Sequence, residues 1–369
     1  MTVVRAGFWS PAAPFRPWTR LHSTLIAPQR ISRMDSRIVV LGASAGGVEA
    51  LSQLVAALPP DLAAPVLVVL HVSPDLPSHL PQILARSGDL PARHAIDGAE
   101  LRNGQILVAP PDRHMSVHDG VVRVWSGAKE NRQRPSIDVT LRSVAVACGP
   151  RAIGAVLSGA LDDGVAGMES IVRSGGHALV QVPAQARHPY LPQNVIDAVP
   201  QAEVLTLEAM AQRIVSLVAE PVEADATLFD EGVAMGRLEL KISAQMGSGE
   251  EMNRLGLLSG LTCPECGGAI IQVQDTAQLR YRCHTGHGFT ATSLFMEQSE
   301  QSEKLLWQAL QLLRENAQTS RFLIDHMRNL GQAEQARDYR AHLDKVEESI
   351  GCLHRMVTSS GLGEAERML

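Results

Sequence analysis

Aromatic residues are scarce in this chain, and the marks of several common protein classes are absent. Phe, Trp and Tyr make up 4% of the 369 residues, so the core must be built from aliphatic side chains. Five cysteines are too few for a disulfide scaffold. No apolar run approaches the roughly 18–20 residues of a membrane helix. With 33 basic and 39 acidic residues, the chain also lacks the basic excess typical of nucleic-acid binding. We therefore predict no membrane insertion and no nucleic-acid partner.

The remaining composition is that of an ordinary globular protein, with 45% hydrophobic and 20% charged residues. At roughly 100–200 residues per domain, the length predicts two or three domains. The first 33 residues differ from the rest, because they contain five arginines and no acidic residue. Met34 stands just before the first strand-like run. We interpret residues 1–36 as a leader that is disordered or not translated, with translation starting at Met34.

Residues 37–219 alternate short apolar runs with amphipathic segments, a pattern typical of an α/β domain. The apolar runs predict buried strands at Arg37–Leu41, Pro65–His71, Ala152–Leu157 and Ala178–Val182. The amphipathic segments predict helices at Val48–Leu58, Ser136–Ala147, Gly164–Ser174 and Leu207–Val218. Ile106–Ala109 and then Met115–Trp125, with Asp-Gly at its middle, predict an inserted β-hairpin. The fold class is therefore α/β, with a doubly wound, mostly parallel, Rossmann-like sheet.

The C-terminal part of the chain divides into three segments. Residues 220–254 are rich in acids and glycines and are interpreted as a linker with one short strand at Arg237–Ile242. Residues 255–290 form a Cys/His module, and residues 291–358 form a helical tail. The spacing in the tail predicts two helices, separated near Gly331, that act as a helical hairpin or as partner-binding helices.

Ser44 is the first candidate for chemistry. It lies in Gly-Ala-Ser-Ala-Gly-Gly at residues 42–47, after a strand and before a helix. In this position G-x-S-x-G marks an exposed nucleophile. The alternative is a glycine loop that cradles a phosphate, in which Ser44 only caps the helix. The motif alone does not separate these two hypotheses.

The next strands favour a hydrolase. His71 ends the second strand, and Asp162 and Asp163 follow the third. All three positions fall at the carboxyl edge of a parallel sheet, where α/β proteins bind ligands. A nucleophile, a base and an orienting acid are the groups that serine hydrolysis requires. Ser136 and Asp138 are interpreted as helix caps that order the same edge.

From about residue 37 to residue 217 the sequence resembles the protein-glutamate methylesterases of bacterial chemotaxis, the CheB type. The motifs that carry the resemblance are those around Ser44 and His71, Ala-Pro-Pro-Asp-Arg-His-Met at 109–115, Arg-Pro-Ser-Ile-Asp at 134–138 and Leu-Ser-Gly-Ala-Leu-Asp-Asp-Gly at 157–164. The resemblance implies hydrolysis of glutamyl methyl esters on chemoreceptor cytoplasmic domains, with release of methanol. It assigns Ser44 as nucleophile, His71 as base and Asp163 as acid, with no cofactor for catalysis.

The chain departs from the family pattern in three places. Ala45 stands where these enzymes usually have Thr, and residues 159–161 read Gly-Ala-Leu instead of Gly-Met-Gly. The family prototype carries a receiver domain ahead of the catalytic domain. The 36 residues before the first strand are too few for one, so we predict that this chain lacks it.

Four residues of the Cys/His module have the spacing of a metal site. Cys263 and Cys266 form a C-x2-C knuckle, and Cys283 and His287 follow as C-x3-H. A Cys3His set is typical of tetrahedral structural zinc. A segment this small has too little hydrophobic core to fold without a bound metal ion. His284 is the competing fourth ligand, and His287 is preferred because a direct neighbour of Cys283 has difficulty facing the same ion.

Two functional hypotheses follow. The first is a cytoplasmic serine esterase acting on chemoreceptor glutamyl esters. The second is a non-catalytic adaptor in a chemosensory complex, in which the zinc module and the helical tail bind other signalling proteins. A complete set of Ser44, His71 and Asp163 favours the esterase, because an adaptor has no need of all three.

Overall fold

The computed structural model describes residues 36–222, 229–244, 247–274 and 276–359. Within that part of the chain, no helix is both long enough and apolar enough to cross a membrane. The predicted leader, apart from its last residue, lies outside the described residues.

A seven-stranded parallel sheet forms the centre of the first half of the chain. Its central strand β1 (Ile38–Ala43) is entirely buried, as its aliphatic sequence predicts for a strand covered on both faces. The other strands are β2 (Val66–Leu70), β3 (Ala92–His94), β4 (Ile106–Val108), β7 (Ala152–Val156), β8 (His177–Gln181) and β9 (Glu203–Leu205). They lie in the order β3-β4-β2-β1-β7-β8-β9, which confirms the doubly wound sheet.

Helices cover both faces of this sheet. They are α1 (Gly47–Ala56), α2 (Leu80–Ser87), α3 (Ile137–Cys148), α4 (Val165–Arg173), α5 (Tyr190–Ala198) and α6 (Leu207–Ala219). Leucines of α1 and α2 and aliphatic residues of α6 pack together on one face of the sheet. Helices α3 and α4 pack against each other and against β1 and β7. The short elements α2, β3, β4, α5 and β9 add to the four strands and four helices predicted from the sequence. The sequence pattern groups Ile106–Ala109 with the inserted hairpin, but β4 instead pairs in parallel with β2 and β3 in the main sheet.

The predicted hairpin is present as β5 (His114–His118) and β6 (Val121–Trp125). Asp119 and Gly120 form its two-residue turn, with φ of 49° and 77°. A type I′ turn needs positive φ at both positions, and Asp-Gly supplies it at low cost. The hairpin packs against α3.

The predicted linker differs from the structure. Residues 220–254 contain helices α7 (Phe229–Ser243) and α8 (Gly249–Leu255), so the expected strand at Arg237–Ile242 is wrong. Apolar residues of α7 and α8, including Ile242 and Leu255, share a small core with β11. Helical packing against the rest of the fold has therefore prevailed over a composition that resembles a linker.

The Cys/His module is a four-stranded antiparallel sheet with strands in sequence order. They are β10 (Gly256–Thr262), β11 (Ala269–Val273), β12 (Arg280–Cys283) and β13 (Gly288–Thr290). Helices α9 (Ala291–Asn329) and α10 (Ala333–Ser359) follow and form the predicted hairpin. Ala317 and Ile324 of α9 pack on Leu343 and Val346 of α10.

Five buried charged residues join the α/β domain to the C-terminal part of the chain. We call them the five-charge cluster; each is at most 6% exposed, and the set is Glu130, Arg142, Glu239, Arg280 and Arg282. Arg142 of α3 lies 2.7 Å from Glu130 and 3.4 Å from Glu239 of α7. Arg282 of β12 lies 2.8 Å from Glu130 and 3.2 Å from Glu239. Removing either glutamate leaves buried arginine charges without a partner, which typically costs about 3–5 kcal/mol.

The five-charge cluster predicts how stability depends on pH. Burial alone would raise the pKa of Glu239, but Arg142, Arg280 and Arg282 lower it from 4.5 to about 2. Because the folded pKa lies below the unfolded one, the pairing stabilises the fold above pH 4.5 and is lost as the pH falls towards 2. The shift corresponds to roughly 3 kcal/mol. In urea unfolding, the free energy of unfolding of Glu239→Gln should therefore be lower than that of wild type at pH 7, and the difference should shrink in acid. Glu348→Gln, at an exposed position on α10, should have the same free energy of unfolding as wild type. A difference in free energy of unfolding that does not change with pH would contradict the lowered pKa of Glu239.

Candidate active site

Ser44 lies directly after β1 and before α1, in the strand–turn–helix setting that its motif predicts. Gly46 makes the turn with φ of 71°. A Cβ atom at this position would lie 2.8 Å from Ser158 Oγ and 2.9 Å from Arg187 Cβ, so a larger residue would not fit. The backbone N–H of Gly47 donates to the Ser44 carbonyl at 2.9 Å and closes the turn. The Ser44 side chain is thereby held at the carboxyl edge of the sheet, half-buried.

The sheet order brings His71 and Asp163 to Ser44. Strand β1 lies between β2, which precedes His71, and β7, which is followed by the loop that carries Asp163. His71 Nδ1 is 3.1 Å from Ser44 Oγ, and His71 Nε2 is 2.7 Å from Asp163 Oδ2. The side chains of His71 and Asp163 are 10% and 3% exposed. With its proton on Nε2, the ring donates to Asp163 and offers the Nδ1 lone pair to the serine hydroxyl.

The Asp163 carboxylate accepts several further hydrogen bonds at the N-terminus of α3. Oδ2 accepts from the Ile137 N–H at 2.7 Å, and Oδ1 accepts from Ser136 Oγ at 2.7 Å. The Asp138 N–H donates to Oδ1 at 3.3 Å. A helix N-terminus favours a negative charge, so this setting suits an ionised carboxylate. Gly42 allows the close packing, because a Cβ there would lie 2.4 Å from Ile137 Cγ2.

Ser136 and Asp138 cap two different helices. Ser136 is the N-cap of α3 and accepts from the Val139 N–H, as predicted. Asp138 instead accepts from the N–H groups of Gly164 and Gly167, at 2.9 Å and 2.6 Å, at the start of α4. Burial and the nearby Asp163 carboxylate raise the pKa of Asp138 well above its usual range. Two buried carboxyl groups thus lie side by side behind His71.

Asp162, the acid directly before Asp163 in the sequence, makes no contact with His71 among the described residues. It is 5% exposed, and its Oδ1 has no hydrogen-bond partner in the described part of the chain. Burial and the neighbouring Asp163 raise the pKa of Asp162 to about 6. Of the two adjacent acids, the structure therefore brings Asp163 to the histidine.

The departure from the family pattern at Leu161 has a structural cost. Leu161 has φ of 64°, in the left-handed region that favours glycine, and the resemblance places a glycine there. Asn194 Nδ2 donates to the Leu161 carbonyl at 2.8 Å and holds this conformation. At the other departure, the Ala45 carbonyl accepts from Ser158 Oγ at 2.8 Å, so the backbone is anchored without a threonine side chain.

Asn131 is part of the site and was not identified from the sequence. It is 4% exposed, and its Nδ2 donates to Asp138 Oδ2 at 2.9 Å and to Asp163 Oδ1 at 3.3 Å. Asn131 lies in a segment without helical or strand periodicity. No pattern in the sequence therefore distinguishes it from a loop residue.

The predicted metal ligands lie together at one end of the four-stranded sheet. The ligand atoms of Cys263, Cys266, Cys283 and His287 lie within 4.8 Å of one another. His287 Nδ1 is 3.4 Å from Cys283 Sγ and 3.7 Å from Cys263 Sγ, and the Cys266 and Cys283 Sγ atoms are 3.7 Å apart. Tetrahedral ligands at about 2.3 Å from zinc would lie about 3.8 Å apart, so the donor set fits the ion. His284 is outside this group, and its ring packs against Gly268.

Comparison with known proteins gives one consistent result. The family model of CheB methylesterases matches residues 39–214. A putative protein-glutamate methylesterase/protein-glutamine glutaminase of Leptospira interrogans is 31% identical over 185 residues, which cover 50% of this chain and 96% of the relative. Protein-glutamate methylesterase/protein-glutamine glutaminase 4 of Anaeromyxobacter dehalogenans is 35% identical over 221 residues, 58% of this chain and 60% of that protein.

The CheB methylesterase catalytic domain of Thermotoga maritima is 29% identical, with a TM-score of 0.47, and the match covers 50% of this chain and 99% of that one. The chain thus spans about 60% of the Anaeromyxobacter relative and nearly all of the Leptospira one. Ser44, His71 and Asp163 all lie inside the segment that the family model matches. The chain belongs to the CheB methylesterase family.

Proposed function

We propose that this protein hydrolyses methyl esters of glutamate side chains on chemoreceptor cytoplasmic domains, in the cytoplasm. The observation that supports this most directly is the hydrogen-bonded series Ser44, His71 and Asp163 inside the segment that matches the family. The names of the relatives include protein-glutamate methylesterase, which gives the substrate class.

In the proposed mechanism His71 Nδ1 takes the proton of Ser44 Oγ while this oxygen attacks the ester carbonyl. Asp163 accepts the Nε2 proton in a hydrogen bond and stabilises the imidazolium. The N–H of Ala45 directly follows the nucleophile, the position of an oxyanion donor in this strand–turn–helix setting. His71 then gives its proton to the departing methoxide, which leaves as methanol. Water, deprotonated by His71, cleaves the acyl-enzyme and releases a glutamate carboxylate.

Glutamine deamidation is a second candidate, because the names of the relatives also include protein-glutamine glutaminase. The same acyl-enzyme would form from a side-chain amide, with ammonia leaving in place of methanol. Both candidates use the same three residues, so only the substrate distinguishes them.

The test is methanol release from carboxyl-methylated chemoreceptor cytoplasmic domains, with the same domains in unmethylated form as control. Ammonia release from glutamine-containing domains is measured in parallel. Methanol release that depends on Ser44 supports the esterase. Neither product, from protein whose circular dichroism shows it to be folded, would reject both enzymatic candidates and favour the adaptor.

We further propose that Cys263, Cys266, Cys283 and His287 hold one structural zinc ion. The fit of their distances to a tetrahedral set supports this. Four protein ligands leave no open position, so the ion would stabilise the module and take no part in hydrolysis. We also propose that the module and the α9–α10 hairpin bind other chemosensory proteins.

Metal analysis of freshly purified protein should find about one zinc per chain. The double variant Cys263→Ser/Cys266→Ser should lose it, because two of four ligands are removed. Cys352→Ser on α10 is the matched control, since this exposed cysteine lies outside the cluster. Zinc-free wild type, or equal loss of zinc in the control, would refute the site.

A further inference from the structure

The segment that carries Asn131 is paired with the Cys/His module through its backbone. The Asn131 N–H donates to the Gly288 carbonyl at 2.8 Å, and the Gly288 N–H donates to the Lys129 carbonyl at 3.2 Å. Through this pairing, Glu130 forms a parallel β-bridge with Gly288 of β13. The α/β domain and the module therefore share hydrogen bonds immediately beside the candidate active site.

The Asn131 side chain connects the two parts in a way that only an amide can. Its Nδ2 group donates to Asp163 and Asp138, while its Oδ1 accepts from the Thr290 N–H at 3.0 Å and from Ser293 Oγ at 3.3 Å. One side of the group must donate and the other must accept. Thr290 and Ser293 form the capping box of α9, so the acceptor side is fixed by the start of the helical tail.

The metal-binding residues flank this contact. Cys283 ends β12, and His287 directly precedes Gly288, the backbone partner of Asn131. The Cys283 N–H donates to the His287 carbonyl at 2.9 Å. A second connection runs beside it, because Arg282 precedes Cys283 and pairs with Glu130, the neighbour of Asn131. An ordered Cys/His cluster thus holds in place Gly288 and Arg282, the two residues of the module that bind residues 129–131.

We infer that Asn131 is a positioning residue for the Asp163 carboxylate, and that an assembled Cys/His cluster is required to hold it in place. The inference rests on the proposed function of Ser44, His71 and Asp163. Without the shared amide, Asp138 Oδ2 loses its donor at 2.9 Å, and Asp163 Oδ1 keeps only Ser136 Oγ and the Asp138 N–H as donors. Asp163 Oδ1 thereby loses one of the donors that orient the carboxylate with Oδ2 towards His71.

The first test is Asn131→Gly. Glycine tolerates the φ of 51° at this position, so the change deletes the amide without straining the backbone. We expect kcat for methanol release to fall about 10²-fold, as for a misplaced catalytic group, with KM unchanged. We also expect the low-field proton resonance of the His71 Nε2–H to broaden or move. Asn103→Gly, in an exposed turn, is the matched control and should leave kcat and the resonance unchanged.

The second test disrupts the Cys/His cluster and measures the same two quantities, kcat for methanol release and the His71 Nε2–H resonance. Cys263→Ser should lower kcat and perturb the His71 resonance, and the double variant Asn131→Gly/Cys263→Ser should be no worse than the more affected single variant. Losses of kcat that are not additive show that the two residues act through the same contacts. If Cys263→Ser does not fold, chelation of the wild-type protein and re-addition of zinc, followed by the His71 resonance, replaces it.

Two results would overturn the inference. One is an unchanged His71 resonance in Asn131→Gly, and the other is strictly additive losses in the double variant. Failure of the proposed function gives a different result, namely no methanol release from wild type, and the resonance still tests the positioning role.

Discussion

Replacing Ser44 by alanine is expected to reduce methanol release by about 10⁶-fold, the loss seen when a serine nucleophile is removed from a complete triad. Among the described residues, the Ser44 hydroxyl is the nucleophile that hydrogen-bonds His71 Nδ1 and can form the acyl-enzyme. The change should leave the fold intact, because the side chain is half-buried and its hydroxyl contacts only His71 in the described part of the chain. Single-turnover release of methanol measures the effect, and urea unfolding verifies the fold.

Ser52→Ala on α1 is the control, since it makes the same change eight residues further along the chain and outside the triad. It should keep the activity of wild type. Ser44→Ala protein that is folded and retains more than a small fraction of wild-type methanol release would refute the nucleophile assignment.

The second large effect is expected for Asp163→Asn, about 10⁴-fold in kcat, since an amide there no longer holds the imidazole in its correct tautomer. His71, Ser136 and the Ile137 N–H all donate to this carboxylate. An amide NH2 must face at least one of these donors, which leaves a buried conflict as well as a lost charge.

Asp162→Asn is the matched control for Asp163→Asn. Asp162 Oδ1 accepts no hydrogen bond from the part of the chain that the structure describes, and the pKa of Asp162 is raised to about 6. A neutral amide therefore costs little there, and we expect activity within a few-fold of wild type. Comparable losses in the two variants would show that the sequence neighbours share the role assigned to Asp163.

The sequence predicted the parts of the fold that depend on local pattern. Buried parallel strands are continuous apolar runs, so β1, β2 and β7 were recognisable, and parallel order alone places Ser44, His71 and Asp163 at one edge of the sheet. The cysteine spacing predicted the Cys/His group in the same way. The sequence also favoured His287 over His284, and the path of the turn directs the His287 ring to the sulfur atoms and the His284 ring to Gly268.

Features that depend on distant parts of the chain were not predictable from local pattern. Glu239 lies in a segment that resembles a linker in composition, and its helix is explained by partners on α3 and β12. Asn131 likewise acquires its importance from Asp163 and from Thr290. Such residues carry no periodicity and become visible only when the tertiary contacts are known.

The separation of Asn131 from Thr290 has a consequence for synthesis on the ribosome. The two residues are 159 positions apart, and chains grow at about 5–20 residues per second, so roughly 10–30 s pass between their emergence. During that interval a nascent α/β domain can already hold Ser44, His71 and Asp163 while the Asn131 amide still lacks its acceptor-side partners. The hydrogen bonds from Thr290 and Ser293 to the Asn131 amide are therefore among the last to form, and a ribosome that stalls before residue 290 leaves them incomplete.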